Sequence, residues 1–410
     1  MDNLELVLKK LNLKNDTYKL VENRDNIKIL LNKHGYVLSR TTLIKLLADL
    51  KSEYTVKKTL SLKKLIVYLT DTFKWFEEVS VLMPDGHHAK RLVYLLEEVS
   101  PYEIALSLRP SAYFSHYSAL VINDLTENNP KDIYINNEQT KKPIDKSNAI
   151  LTQKKVDYAF SKPMRRTNNI AKFNYKKIEY KVYMLNGKNT NKLGVVTKQP
   201  IGFSRPVKVT NLERTLIDIV VRPPYSGGVE EIANSFRNAS NDVSVNKLIS
   251  YLRKINYVYP YENAALFYSN KAKYSQNKIN LLSKYIAEKN SNIDFYLDYQ
   301  MVDKVLDSKA RVYYPGIMKK VEIEADLVEV DLEEYEGALG IPIISDINFY
   351  SEGLIIENNR LNRLKNSLIN IELNHFELES NQEEEVRDIL ENEYNIDTSK
   401  IEILINAWIE

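Results

Sequence analysis

Three groups of side chains have the types and spacings needed to grip a polyanion. Lys57, Ser61, Lys64 and Tyr68 recur every three or four residues, so a helix would set them on one face. Lysines on such a face bind phosphate or guanine, and Ser61 and Tyr68 can donate to phosphate or bases. His87, His88, Lys90 and Arg91 follow the turn Pro84-Asp85-Gly86. Lys154, Lys155, Lys162, Arg165 and Arg166 are interleaved with Tyr158 and Phe160, a mixture that suits a nucleic-acid backbone with stacked bases. The plainer reading of each group is a solvated basic surface, and Asp71, on the first face, opposes a polyanion.

Other chemistries are less well supplied. Neighbouring histidines on a turn rarely converge on one ion and no acidic cluster lies nearby, so His87 and His88 are expected to touch phosphate or water and no metal is expected. His34 lies near a helix end, where it can cap carbonyls or interact with the dipole. His116, inside YFSHYSAL, has no accompanying nucleophile motif and is expected to be packed or hydrogen-bonded. Asp157 followed by Glu179-Tyr180-Lys181 on a strand has the pattern of a PD-(D/E)xK site. There two carboxylates hold Mg²⁺ and a lysine supports attack on phosphate. Glu-x-Lys is common in a chain so rich in both, so a nuclease is the lesser alternative. With no Walker loop, no HExxH and no Gly-Ser followed by paired aspartates, neither an enzyme nor a cofactor is expected.

A fourth group lies in the stretch TNLERTLIDIVVRPPYSGG, Thr210 to Gly228. Thr210 and Asn211 are helix-capping types ahead of Leu212, Leu216, Ile219 and Val220, which share one helix face. Arg222-Pro223-Pro224 stops the helix, Ser226-Gly227-Gly228 turns the chain, and a helix follows from Val229. Arg214 and Asp218 stand four apart and are expected to pair, with Asp218 and Arg222 repeating the step. Such a ladder fixes a fold more readily than it performs chemistry.

The elements that must position these groups are also legible. Ile27, Leu30 and Leu31 mark a helix ended by Gly35; Tyr36–Leu38 forms a short strand; Ser39 caps a helix with Leu43, Leu46, Leu47 and Leu50 inside. A third helix is expected after Tyr54-Thr55, with Leu62, Leu65, Ile66 and Leu69 inside. Phe76–Met83 and Arg91–Leu96 make a hairpin about Pro84–His88. Helix, strand, helix, helix, hairpin is the order of a winged helix-turn-helix, whose third helix enters the DNA major groove while the wing touches the backbone.

Further on, Ser100-Pro101-Tyr102 opens a new unit, Tyr113–Asn123 contains a helix, and Asp132–Asn136 and Phe173–Leu185 read as strands. In the second of these, Tyr175, Lys177, Glu179 and Lys181 lie on one side. Helices are expected at Glu230–Ala239, Val245–Ile255 (capped by Ser244), Ala264–Tyr268 and Ile279–Glu288. Short strands follow at Phe295–Leu297 and Arg311–Tyr314. Before all of these, Leu4, Val7, Leu8 and Leu11 mark an amphipathic helix, and Asn12–Asn23 a connector.

The 410 residues suggest two or three domains. There is no cysteine, which excludes disulfides and thiolate metal sites. No signal layout and no run near the ~18 apolar residues of a membrane span is present, so a cytoplasmic protein without membrane contact is expected. The net charge of +2 hides an asymmetry: residues 321–410 hold 5 Lys+Arg against 23 Asp+Glu, while residues 1–320 hold 52 against 32. A basic body suits phosphates; the acidic end suits a basic partner, the chain's own basic face, or a phage component. Alternation at Glu322–Leu332, candidate strands at Ile341–Ile344 and Leu354–Glu357, and helices at Leu361–Ile371, Glu383–Leu390 and Ile401–Trp408 make that end a small α+β domain.

The strings TNLERTLIDIVVRPPYSGGVEE, SPYEIALSLRPSAYFSHYSAL and TKQPIGF (Thr197–Phe203), behind a basic winged helix, resemble the AbiEi family of bacterial antitoxins over roughly Ile27–Gly316. The resemblance implies a winged helix that represses the protein's own operon, and a following part that counters a nucleotidyltransferase-like toxin. The pairing would be type IV, without need of tight direct binding, and would serve abortive infection against phage. It implies that Lys57, Ser61, Lys64 and Tyr68 meet operator DNA. Glu213, Arg214, Asp218, Arg222, Tyr225, Gly227 and Gly228 would belong to the antitoxin core. Val321–Glu410 departs from the family pattern and suggests an added sensor, partner-docking or self-masking domain. The expected class is α+β, divided as 1–24 (helix and connector), 25–99 (winged helix), 100–320 (basic antitoxin domain) and 321–410 (acidic domain). The alternative function is an interaction or sensor protein working through the acidic domain.

Overall fold

The computed structural model describes residues 20–54, 56–140, 151–289 and 292–319, with two short backbone stretches at 347–348 and 370–371. The architecture is α+β, and the chain divides into two compact units, 1–320 and 321–410. In the second unit, Ile347 pairs with Ile371 and Asn348 with Asn370, antiparallel. Asn370 and Ile371 are therefore strand rather than the end of a helix. The other elements expected there, and the helix at Leu4–Leu11, lie outside the described residues.

The first elements follow their local signals. Helix α1 (Arg24–His34) buries Ile27, Leu30 and Leu31 and stops at Gly35, whose φ of 89° is open to glycine without strain. Strand β1 (Val37–Leu38) follows. Ser39 then caps α2 (Arg40–Glu53), its hydroxyl accepting from the Thr42 amide at 3.2 Å, a contact worth about 1 kcal/mol. Helix α3 (Leu62–Val67) is shorter than the leucine spacing suggests and relaxes into a π-turn at Tyr68–Thr72. Strands β2 (Phe76–Leu82) and β3 (His88–Tyr94) form the hairpin, and β1 joins its outer edge through Val37↔Val93 and Leu38↔Leu92.

A nine-stranded sheet carries the hairpin into the rest of the unit, in the order β1-β3-β2-β6-β7-β5-β4-β9-β8. Its further strands are β4 (Tyr113–Phe114), β5 (Asp132–Glu138), β6 (Ile170–Tyr175), β7 (Ile178–Gly187), β8 (Val195–Lys198) and β9 (Val207–Thr210). Helices α4 (Pro101–Leu106), α5 (His116–Ile122) and α6 (Gln153–Phe160) lie in the connections. The expected boundary at residues 99/100 does not interrupt the sheet, because β2 pairs with β6 through Val81↔Phe173 and Leu82↔Lys172. One apolar core runs without a break from Leu20 and Leu46 through Val81 and Val93 to Phe114, Phe173 and Val209.

One expected strand is two. Phe173–Leu185 folds back at Lys176-Lys177, with Tyr175 opposite Ile178. Both turn residues have positive φ, 49° and 66°. The sequence lacks the Asn-Gly that announces such a turn, so alternation alone read straight through it.

A second core gathers α7 (Leu212–Val221), α8 (Val229–Asn238), α9 (Val245–Ile255), α10 (Tyr261–Lys271) and α11 (Gln276–Lys289). It also takes in the small sheet of β10 (Phe295–Tyr296), β11 (Lys304–Asp307) and β12 (Val312–Pro315). Helix α10 is twice the expected length: Tyr261 through Ser269 are all buried, so the helix has no polar face to reveal its period.

Candidate nucleic-acid interface

The residues expected on the third helix occupy three different settings. Lys57 precedes α3, opening a turn in which its carbonyl accepts from the Leu60 amide at 3.0 Å, and is exposed. Ser61 is the N-cap of α3, its hydroxyl accepting from the Lys64 amide at 3.3 Å. The expectation of a helical face from Lys57 onward is thus corrected: the helix starts five residues later, because Val56 and Leu60 are buried in an irregular approach. Lys64 lies on the exposed side of α3, and Tyr68, half-buried, opens the π-turn. Leu65 and Leu69 point into the core as expected.

The hairpin residues separate by strand parity. His88 and Lys90 are exposed on one face; Arg91, one residue on, lies on the other. There its guanidinium donates to the Ser107 hydroxyl (2.8 Å) and carbonyl (3.3 Å), bracing the hairpin against the end of α4. Burial lowers its pKa. Arg91 is therefore a strut, not part of an outward basic set; grouping it with its sequence neighbours ignored the period of two. Lys90 pairs with Glu78 at 2.7 Å, an exposed contact that a phosphate can displace at little cost. His88 Nδ1 meets the Ser80 hydroxyl at 2.9 Å, and His87 Nδ1 meets Asp85 at 2.5 Å.

The third basic set is exposed at Lys154, Lys155, Lys162, Arg165 and Arg166. Tyr158 is 65% exposed, with the Lys162 ammonium 3.9 Å from its ring centre. Phe160 is not a stacking residue for bases: it is 4% exposed, packed against Tyr296 and Tyr299 at 5.5 and 4.5 Å. Asp157 accepts from Gln153 (2.7 Å) and the Tyr296 hydroxyl (2.9 Å), while Glu179 stands on β7 opposite Asn174. Among the described residues no group of three or more His, Cys, Asp or Glu is placed to hold a metal ion.

The Thr210–Gly228 stretch is built inward. Asn211 caps α7, accepting from the Arg214 amide at 3.1 Å. Glu213, Arg214 and Asp218 are each at most 5% exposed. Arg214 Nε donates to Asp218 Oδ1 at 2.8 Å as expected, and its Nη1 reaches Thr190 Oγ1 and the Leu193 carbonyl, both at 3.0 Å. Burial works against this guanidinium, and the Asp218 carboxylate outweighs it, so its pKa is raised. Removing one partner of such a buried pair costs about 3–5 kcal/mol. Glu213 anchors α9, accepting from the Ser244 amide at 3.2 Å and pairing with Lys247 at 2.9 Å. Arg222 does not repeat the step: its φ of −139° takes it off the helix, out of line with Asp218. The Tyr225 hydroxyl accepts from the Thr167 amide at 2.6 Å. Gly227, at φ 81°, leaves no room for a Cβ, which would stand 2.6 Å from the Tyr117 ring; Gly228 shares the left-handed φ but faces open space.

Around the pair stand groups that the sequence did not connect. His116 is buried, with Nδ1 2.8 Å from the Ser115 hydroxyl. Tyr113 is buried, its hydroxyl taking a hydrogen bond from Asn136 at 2.7 Å. Glu138 accepts from the amides of Thr190 and Lys192 at 3.0 and 3.1 Å. These residues come from the stretch Tyr113–His116, from β5 and from the loop after β7, and no local signal links the three. Elsewhere, a groove of about 400 Å³ runs between α9 and α11, with Arg253, Lys254 and Lys284 along it. Among the described residues no helix is long and apolar enough to cross a membrane.

No protein-family model matches this chain, and no curated protein does. Among solved structures, the crystal structure of the Rv2827c protein from Mycobacterium tuberculosis is similar with a TM-score of 0.42 and 11% identity, over 71% of this chain and 90% of that one.

Proposed function

We propose that this protein is a DNA-binding repressor of its own operon. We propose too that it is the antitoxin that counters a nucleotidyltransferase-like toxin in abortive infection against phage. The observation that carries the first part is the arrangement over Arg24–Tyr94. Three helices precede a two-stranded hairpin, β1 pairs with its outer strand, and Lys57 ahead of the third helix and Ser61 and Lys64 at its start are exposed. In a winged helix-turn-helix that helix reads the major groove and the hairpin meets phosphates. Support for the antitoxin part is the resemblance of residues 27–316 to the AbiEi family; the inward build of Glu213, Arg214 and Asp218 gives these residues the role of holding that part in shape.

The test is a gel shift with a fragment of the protein's own promoter at moderate salt. The fragment is expected to shift, and Lys57→Glu with Lys64→Glu is expected to abolish the shift; retained affinity would sink the winged-helix reading. For the antitoxin part, co-expression should restore growth to cells expressing the neighbouring nucleotidyltransferase-like reading frame. Absence of rescue would sink it.

A further inference from the structure

We propose that the face of β3, β2, β6 and β7 carrying Lys172 and Lys181 is a second track for the backbone of double-stranded DNA, prolonging the hairpin. This rests on the DNA-binding reading above.

The register places a single row across four strands. His88 stands opposite Leu82, Leu82 opposite Lys172, and Lys172 opposite Lys181. All four side chains are exposed. Neighbouring strands lie about 4.8 Å apart, so Lys172 and Lys181 sit about 10 and 14 Å from His88 along the row. The longer distance equals the axial rise of about four nucleotides of one DNA strand. In an isolated hairpin the backbone contact would end at the inner strand, β2. Here β6 is hydrogen-bonded to that strand, so the surface continues without a gap.

The row shares its sheet face with Leu38 and Leu92. Leu92, Lys90 and His88 share one face of β3; Leu92 is buried opposite Leu38, while His88 and Lys90 are exposed. A duplex lying along the outward half of the hairpin meets this face and not the reverse one, where Val81, Phe173 and Val182 are buried.

Both ammonium groups are available. Neither Lys172 nor Lys181 has an ion-pair partner among the described residues. Acidic groups share this face. Glu78 pairs with Lys90. Asp132, opposite Lys181, lies near the Tyr183 hydroxyl, whose pKa burial and this carboxylate raise. Glu179 is exposed beside the row and, with Asp132, opposes a phosphate there. At its far end the face closes on stacked Tyr134 and Tyr183, 4.8 Å between ring centres; burial raises both hydroxyls, and the Arg166 charge opposes the rise. The row thereby joins the hairpin to the Arg165–Arg166 segment, two basic sets that sequence alone left apart.

The experiment uses the full chain and a promoter fragment, with binding followed by fluorescence anisotropy across a salt series. Each phosphate contact contributes about 0.9 to the log–log slope. Lys172→Gln with Lys181→Gln is expected to flatten the slope by about two, equally on promoter and scrambled duplex, because phosphate contacts carry no sequence information. Lys172→Arg with Lys181→Arg should restore it, and Glu179→Lys should steepen it by about one. The steepening variant guards against a trivial loss of folding. A wild-type slope in the double Gln variant, or no change in Glu179→Lys, would overturn the track while leaving the winged helix intact. Failure of the wild-type chain to bind duplex DNA would instead overturn the reading on which it rests.

Discussion

His116 begins α5 with φ at 51°, in the left-handed region that histidine tolerates better than most residues. Burial pushes its pKa down to about 4; Asp218 opposes the shift, and Arg222 and Arg214 reinforce it. An unfolded histidine titrates near 6.5, so between about pH 6.5 and 4 the unfolded chain takes up a proton that the folded one refuses. The stability involved is fully present above pH 6.5 and is lost as pH falls, about 2 kcal/mol of it by pH 5. His116→Asn keeps a side chain that accepts positive φ and removes the titration. Urea denaturation at pH 7 and pH 5 should therefore show a smaller acid loss in the variant. An equal loss would mean that carboxylates, not His116, set the acid limb.

At the scale of elements, the β6–β7 hairpin is the least favoured by its own sequence. Lys176 and Lys177 both occupy positive φ, where a side chain with a Cβ costs about 1–2 kcal/mol. Lys176→Asn with Lys177→Gly supplies the residues that such a two-residue turn prefers. The pair should raise stability by about 1–2 kcal/mol, seen as a higher urea midpoint at unchanged slope. A lower midpoint would mean that Lys176, which lies 5.5 Å from the Tyr175 ring centre, holds the turn by that contact. Helix ends behave differently from this turn. Ser39, Asn211 and Ser244 each cap the helix that follows, and each was readable because a cap acts on backbone groups two or three residues away. Ser61 is a cap too, but the leucine stripe beside it suggested a longer helix with Ser61 on its face.

For the whole molecule the governing quantity is charge. The chain is near neutral at +2, with 52 Lys+Arg and 32 Asp+Glu before residue 321. A chain ending at Lys320 carries +20 and presents a far stronger field to a polyanion. Its association with duplex DNA is expected to be faster by tenfold or more at low salt, and the gain should vanish as salt rises. Stopped-flow association rates for the two lengths across a salt series check this; equal rates at low salt would show that the acidic residues do not weaken the body's field.

The sequence by itself determined what depends on near neighbours: the helices and their caps, the β2–β3 hairpin, the inward leucines, the Arg214–Asp218 pair and the charge divide. It determined the α+β class as well, because both periods are present. The tertiary structure decided what depends on strand register over long separations. It sent Arg91 to the core face, made Phe160 a core ring, and brought Tyr113, His116 and Glu138 around α7. It also set Lys172 and Lys181 in line with His88. A strand shows its period locally, but its partner is chosen by how much apolar surface the whole sheet buries. No window of residues contains that sum.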